Sequence, residues 1–236
     1  MKYSNKENIT TIYTGKERIF DERIAYEIIH AGQLAIREKG VFFLGISGGS
    51  TPLGAFNILA NTSDSLDWSK IYIFWVDERC VAPENPDSNF GIAYKVWLNK
   101  LPVNFYRIKG EKDPFLAAKE YEDLIRDEIK TLKNGNPVFD LLLLGMGTDG
   151  HTCSLFPNTT ILEEEKAIVK DVWVEKLNTN RISFTYPLVN NAKKRIIAIK
   201  GTKKIDIYQE VQSLDDIKYP IQGIYPSDSE DTWILF

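Results

Sequence analysis

The segment Gly145–Thr152 (GMGTDGHT) places a carboxylate and a histidine two residues apart in a glycine-rich turn. Histidine titrates near neutral pH and suits general acid–base catalysis, and a nearby carboxylate can fix its tautomer. We therefore predict that His151 is a general base and that either Asp149 or Asp77 orients it. The only other histidine, His30, falls inside a predicted helix and is expected to be structural.

The same segment also contains G-x-G-x-x-G at positions 145, 147 and 150, a pattern found in dinucleotide-binding loops. The charge of Asp149 would repel a pyrophosphate, and Pro157 lies where that motif requires an uninterrupted helix. Cys153 is a conceivable nucleophile, but nothing near it in the sequence would activate a thiol. These arguments disfavour a dinucleotide enzyme and a thiol enzyme.

A second glycine-rich loop, Ser47–Pro52 (SGGSTP), joins a predicted strand to a predicted helix. Glycines let backbone N–H groups approach an anion, and a helix N-terminus favours phosphate. Thr51 is expected to cap this helix, with Pro52 as its first residue. A tight turn without a ligand explains this loop equally well. The phosphate-binding candidates in it are Gly48, Gly49, Ser50 and Thr51.

Three cationic side chains follow predicted strands. Arg79 ends the triplet Asp77-Glu78-Arg79 and could bind a phosphate or carboxylate through its planar fork, or form a salt bridge at the sheet edge. Arg181 and Lys204 are candidate anion ligands in a chain that is acidic overall. The adjacent Lys203 is expected to be an ordinary surface lysine.

Composition limits the class of protein. The 236 residues carry a net charge of −4, with 43% hydrophobic and 26% charged residues, which is typical of a folded globular protein. The mildly negative net charge does not predict binding to nucleic acid or to a membrane surface. No apolar stretch reaches the roughly 20 residues of a membrane span. Two cysteines and a polar N-terminal segment suggest a cytoplasmic protein. The two histidines are far apart and there is no cysteine cluster, so no metal site is predicted.

Short apolar runs alternate with helical patterns along the chain. Predicted strands are Ile9–Thr14, Val41–Ser47, Ile71–Val76, Phe105–Ile108, Phe139–Leu144, Ala167–Val174, Arg181–Tyr186, Arg195–Lys200 and Thr232–Phe236. Predicted helices are Lys16–Lys39, Pro52–Ala60, Asn89–Leu101, Pro114–Lys133 and Lys203–Gln212. This order predicts one α/β domain over residues 1–236, with a mostly parallel sheet flanked by helices on both faces. Ligands of such folds lie beyond the carboxyl ends of the strands, where the candidate residues fall.

Taken in order, the motifs SGGSTP, DER, Asp87-Ser88-Asn89, GMGTDGHTCSLFP, Arg181 with Thr185, and G-x-x-K resemble the 6-phosphogluconolactonase family from about residue 20 onward. The resemblance implies a Rossmann-like fold shared with glucosamine-6-phosphate deaminase and ribose-5-phosphate isomerase. It also implies hydrolysis of 6-phospho-D-glucono-1,5-lactone to 6-phosphogluconate in the oxidative pentose phosphate pathway, without a cofactor. The small phosphosugar lactone is then the expected partner. The oligomeric state is left open, and a monomer is compatible with the sequence.

The resemblance assigns roles to individual positions. His151 matches the general base, and Asp149 and Asp77 match the acidic residues around it. The positions that match substrate-binding residues, chiefly for the phosphate, are Gly49, Ser50, Thr51, Arg79, Arg181 and Lys204. Two positions depart from the family pattern, because Cys153 replaces a usual alanine and Asn158 replaces a common glycine.

Two alternative functions remain. In the related amino-sugar phosphate deaminases, a glutamate five positions after the histidine assists ring opening, whereas Phe156 occupies that position here. A non-catalytic sugar-phosphate sensor on the same fold would be expected to carry a DNA-binding segment, and the first 40 residues contain no basic helix-turn-helix pattern. The lactonase is therefore preferred, with a deaminase/isomerase-like enzyme or a binding module as alternatives.

Overall fold

The computed structural model describes residues 9–213, 216–224 and 229–236. Within them the strands are β1 Ile9–Tyr13, β2 Phe42–Ile46, β3 Ile71–Trp75, β4 Asp77–Arg79, β5 Asn104–Tyr106, β6 Leu132–Lys133, β7 Asn136–Pro137, β8 Leu141–Gly145, β9 Val169–Val174, β10 Thr179–Phe184, β11 Lys194–Ile199 and β12 Glu230–Leu235. The helices are α1 Glu17–Lys39, α2 Leu53–Leu59, α3 Asn89–Val96, α4 Pro114–Glu128, α5 Tyr186–Val189 and α6 Thr202–Ser213.

Seven of these strands form one central sheet in the order β1-β12-β11-β8-β2-β3-β5. Every pairing in it is parallel. The middle strands are continuous apolar runs, and all five residues of β2 are buried, because helices cover the sheet. The predicted α/β fold with a mostly parallel sheet is confirmed.

Helix boundaries follow local chemistry. Helix α1 ends where Gly40 adopts φ = +81° and donates its N–H to the Ile36 carbonyl, a conformation that glycine tolerates. Helix α3 begins after Ser88, whose hydroxyl accepts the Gly91 N–H. The predicted helix Asn89–Leu101 is shorter in the structure, since α3 ends at Val96 and residues 98–100 form a 3-10 turn.

Helix α4 also ends earlier than predicted, at Glu128 rather than at Lys133. The following residues form the hairpin β6–β7, whose turn is Asn134-Gly135 with φ values of +53° and +77°. Two successive positive φ angles are what a tight two-residue hairpin turn requires. The Asn-Gly pair signals this hairpin in the sequence, and the apolar periodicity before it obscured that signal.

A second sheet of three antiparallel strands, β4-β10-β9, lies beside the central one. Strands β9 and β10 are joined by a single 3-10 turn, Glu175–Leu177, and pair antiparallel, as strands with so short a connection do. Strand β4 follows β3 after one residue and pairs with β10, so that Arg79 faces Arg181 in the register. The sequence analysis did not anticipate this sheet, although it identified β9 and β10 as strands.

Charged side chains cluster at the amino ends of the central strands. Arg195 is fully buried and binds Asp231 on the neighbouring strand through Nε (2.6 Å) and Nη2 (3.2 Å). Asp140, just before β8, lies 2.8 Å from the ammonium group of Lys39 and 3.1 Å from that of Lys193. Ion pairs thus occupy the amino ends of β8, β11 and β12, whereas the candidate site residues follow the carboxyl ends.

Across the described ranges, none of the helices has the length and apolar character needed to cross a lipid bilayer.

Candidate functional site

A cleft of about 260 Å³ opens at the carboxyl ends of β2, β3, β8 and β11. Most predicted site residues line it, namely Gly48, Gly49, Ser50, Thr51, Asp77, Arg79, His151 and Lys204. The lining does not include Asp149 or Arg181. The structure therefore brings together residues that are more than 150 positions apart in the chain.

His151 and Asp149 form a direct pair. The Nδ1 atom of His151 lies 2.5 Å from Oδ1 of Asp149, and both side chains are partly buried, with 28% and 22% of their surfaces exposed. Pairing through Nδ1 fixes the tautomer and leaves Nε2 as the ring nitrogen available for proton transfer. Of the two carboxylates considered from sequence, Asp149 is the one paired with His151.

The turn after β8 has the shape that this pair needs. The Gly147 N–H donates to the His151 carbonyl (2.8 Å), and the Gly150 N–H donates to the Gly147 carbonyl (3.1 Å). A Cβ atom at Gly147 would overlap the His151 ring, so the imidazole can occupy this position only over a glycine. Phe156 stacks on the ring with centroids 4.0 Å apart. Residues 146–158 form turns rather than the helix that a dinucleotide-binding loop requires.

The second oxygen of the Asp149 carboxylate binds Lys176. The Lys176 ammonium lies 3.1 Å from Oδ2 of Asp149. Burial raises the pKa of Asp149, but the hydrogen bond and charge of His151 and the contact with Lys176 outweigh it and hold that pKa well below its ordinary value. Asp149 is therefore an anion at neutral pH. Lys176 is a site contact that the sequence analysis missed, because it lies 27 residues from Asp149 with no motif around it.

Asp77 is buried and also lines the cleft. Its Oδ2 accepts a hydrogen bond from the Ser154 hydroxyl (2.8 Å), and its carbonyl accepts one from the Asn89 amide (2.9 Å). The Asn89 side chain lies directly against Gly48, where a Cβ atom would overlap it. Asn89 thus connects the glycine-rich loop to Asp77. It belongs to the Asp-Ser-Asn motif, although it was not predicted as a site residue.

The buried Glu78 side chain connects β4 to the start of α3. Its carboxylate accepts the backbone N–H groups of Arg79, Asn89 and Phe90 and the hydroxyl of Ser88. Burial raises the pKa of Glu78, while the N–H groups that it accepts act in the opposite direction. Together with the bond from Asn89 to the Asp77 carbonyl, these contacts anchor the N-terminus of α3 to β4.

The cations lie on different elements. Arg79 donates through Nη1 to the Asp87 carbonyl. Arg181 faces it across the β4–β10 register, and burial and the charge of Arg79 lower the pKa of Arg181. The Nε of Arg181 is buried and has no hydrogen-bond partner among the described residues. Two adjacent guanidinium groups of this kind would be stabilised by an anion.

Lys204 lies in the first turn of α6 and reaches the cleft from the other side. Burial lowers its pKa, and it forms no ion pair with any residue that the structure describes. A half-buried lysine without an anionic partner is suited to bind an anionic ligand.

The glycine-rich loop differs from its prediction in one detail. Pro52, rather than Thr51, occupies the N-cap position of α2, and no side chain caps that helix. Gly49 adopts φ = +80° in the turn after β2, and the helix starts at Leu53, one residue later than expected. Ser50 and Thr51 remain in the cleft lining.

Cys153 also lines the cleft, but its chemistry is unfavourable for nucleophilic attack. Burial and then the charge of Asp77 raise the pKa of its thiol well above the ordinary value. The thiol is therefore protonated at neutral pH. Within the described ranges, no group of three His, Cys, Asp or Glu side chains is placed to hold a metal ion.

Comparisons with known proteins identify the family of the chain. Residues 16–233 match the family model described as "Glucosamine-6-phosphate isomerases/6-phosphogluconolactonase". The chain is 35% identical over 207 residues to a 6-phosphogluconolactonase of Nostoc sp., covering 85% of this chain and 84% of that protein. It is 33% identical over 230 residues to a 6-phosphogluconolactonase of Chlamydia pneumoniae, covering 95% and 86%.

A solved structure shows the same fold. The crystal structure of a 6-phosphogluconolactonase from Thermotoga maritima superposes with a TM-score of 0.83 at 22% identity, covering 96% of this chain and 99% of that chain. The match of the family model to most of the chain, together with relatives above 30% identity, leads to one conclusion: the chain belongs to the glucosamine-6-phosphate isomerase/6-phosphogluconolactonase family.

Proposed function

We propose that this protein is a 6-phosphogluconolactonase, which hydrolyses 6-phospho-D-glucono-1,5-lactone to 6-phosphogluconate. The observation that carries the proposal is the His151–Asp149 pair at the edge of a cleft that also contains Arg79 and Lys204. Hydrolysis of a lactone that carries a phosphate is served by a general base that activates water and by cations that bind the phosphate. The names of the relatives supply the substrate.

In the proposed mechanism, Nε2 of His151 takes a proton from a water molecule as that water attacks the lactone carbonyl. Asp149 holds the ring through Nδ1 and stabilises the imidazolium that forms. The protonated ring then gives its proton to the ring oxygen of the lactone as the C–O bond breaks. A lactone carbonyl is already reactive, so the mechanism invokes neither a metal ion nor a covalent intermediate.

The substrate phosphate is proposed to bind the glycine-rich loop and the nearby cations. The loop residues 48–51 and Lys204 line the same cleft as His151. Arg181 is aligned with Arg79 in the neighbouring strand, and its Nε has no partner in the part of the chain that the structure describes. Binding the phosphate there places the carbonyl next to the base and supplies binding energy remote from the reacting bond.

The environment of His151 weighs against a deaminase-isomerase. The side chain stacked on the imidazole is Phe156, which cannot exchange a proton. An aldose–ketose reaction needs a further acid–base group to open and isomerise the sugar. The surroundings of the ring therefore suit the lactonase mechanism, in which His151 alone takes a proton from water and passes it to the ring oxygen of the lactone.

The test is a coupled lactonase assay, in which glucose-6-phosphate dehydrogenase generates the lactone and 6-phosphogluconate dehydrogenase reports its opening above the spontaneous rate. We expect His151→Gln to lower kcat by about 100-fold or more, the usual contribution of a general base. His30→Gln is the matched control, since His30 stacks on Tyr26 of α1, away from the cleft. No acceleration by the wild-type protein, or normal kcat in His151→Gln, would contradict the proposal. Glucosamine 6-phosphate would then be the next substrate to assay.

A further inference from the structure

The turn that joins β9 to β10 reaches over to the catalytic turn. It comprises Glu175–Leu177 followed by Asn178 in a left-handed conformation. Its lysine, Lys176, is 66% exposed and contacts Asp149 through a single ion pair of 3.1 Å. Lys176 is not one of the residues that line the cleft, and its ion pair with Asp149 connects it to the catalytic turn.

The two oxygens of the Asp149 carboxylate have different partners. Oδ1 faces the Nδ1 atom and the backbone N–H of His151, at 2.5 and 3.3 Å. Oδ2 accepts from Lys176. Because each oxygen is occupied, rotation of the carboxylate would break one contact, and Lys176 therefore fixes the plane in which Oδ1 meets the imidazole.

We propose that Lys176 is a positioning residue for the general base, which anchors the Asp149 carboxylate and, through its positive charge, weakens the stabilisation of protonated His151. The proposal rests on the proposed function, in which His151 must be unprotonated to accept a proton from water. Without Lys176 the carboxylate would be a stronger counter-ion, and the base would be free only at higher pH.

Other charged groups also face His151. Asp77, Arg79 and Lys204 lie on other elements that line the same cleft. On the hairpin itself, the Glu175 carboxylate accepts the indole N–H of Trp173. These groups are present in both the wild type and a Lys176 variant, so a difference in the His151 titration between the two proteins reports the effect of Lys176.

The first test uses no substrate. With only two histidines in the chain, NMR can follow both imidazole signals through a pH titration. In Lys176→Met we expect the midpoint for His151 to move up at low ionic strength, because a nearby positive charge that opposes protonation of the imidazole is removed. The midpoint for His30 should stay constant. Lys176→Arg should restore the wild-type midpoint, and at about 1 M salt the difference should shrink because charges are screened within about 3 Å.

Lys112→Met is the matched control, because Lys112 is an exposed lysine paired with Glu120 at 2.7 Å and has no contact with the catalytic turn. Equal midpoints for His151 in the wild type and Lys176→Met at low salt, or an equal shift in Lys112→Met, would overturn the proposal.

The second test is kinetic. The acid limb of kcat/KM for the lactone should move to higher pH by the same amount in Lys176→Met, with KM unchanged at pH values above that limb. A purely structural role would lower activity at all pH values without moving the limb. The two proposals fail separately, since an inactive wild-type protein would contradict the lactonase, whereas an unmoved NMR titration would contradict the role of Lys176.

Discussion

At the scale of single residues, Lys203 and Lys204 are neighbours with different surroundings. Lys203 is exposed, whereas Lys204 is half-buried at the cleft and burial lowers its pKa. We expect Lys204→Met to raise KM for the lactone about 10-fold or more while kcat changes little, because a charge-assisted contact with the substrate phosphate is lost. Lys203→Met should leave both constants unchanged. Steady-state kinetics distinguishes the two, and equal effects of both substitutions would argue against a specific phosphate contact.

Sequence reasoning found most of the cleft at this scale because the relevant residues follow buried strands, and the carboxyl ends of parallel strands meet at one edge. It left open which carboxylate pairs with His151, since the spacing of residues does not determine the backbone conformation of a glycine-rich turn. It missed Lys176, which approaches Asp149 from a separate antiparallel sheet. Contacts between sheets depend on how the sheets pack, which no local pattern reveals.

At the scale of elements, the buried pair Arg195–Asp231 links the neighbouring strands β11 and β12. Removing one partner leaves the other charge buried without compensation. We expect Arg195→Met to lower the free energy of unfolding by about 3 to 5 kcal/mol, as measured by urea denaturation.

The double variant Arg195→Met/Asp231→Leu should recover part of that loss, because no isolated charge remains. The control is Arg18→Met, which removes an exposed pair with Glu22 within α1 and should cost less than about 0.5 kcal/mol. If Arg195→Met lowers the free energy of unfolding as little as the control does, the buried pair contributes little to stability.

Strands were predicted more accurately than helix ends. An uninterrupted apolar run such as that of β8 has few alternatives to a central strand. Helix α4 was overextended because Ile129 and Leu132 continue its apolar spacing, although Ile129 is already extended and Leu132 lies in β6. Side-chain periodicity does not register a chain reversal, which depends on backbone angles at Asn134 and Gly135.

At the scale of the whole molecule, several ion-paired carboxylates should govern acid stability. Glu164 lies in the loop before β9. The Lys170 ammonium and the backbone N–H groups of Ala167 and Lys166 lower the pKa of Glu164 to about 2. A folded-state pKa below the unfolded value of about 4.3 means that this stabilisation is complete above pH ~4.3 and is lost as the pH falls toward 2.

We therefore expect Glu164→Gln to lower the free energy of unfolding at pH 7 by about 1 to 2 kcal/mol, and this difference to narrow at pH 3. Urea denaturation at the two pH values measures it. Glu165→Gln, at the exposed neighbouring position, is the control. A difference between Glu164→Gln and wild type that is the same at pH 7 and pH 3 would contradict the assignment.

The arrangement of the first and last strands of the central sheet affects how the molecule can fold. Among the described strands, β1 pairs with β12 alone, and Ile9 is aligned with Asp231. Contacts between residues so distant in sequence form slowly, because closing a long loop costs entropy. During synthesis, β1 leaves the ribosome before β12 and remains without its partner until β12 has emerged. Its unpaired backbone groups are exposed to other chains for that whole interval.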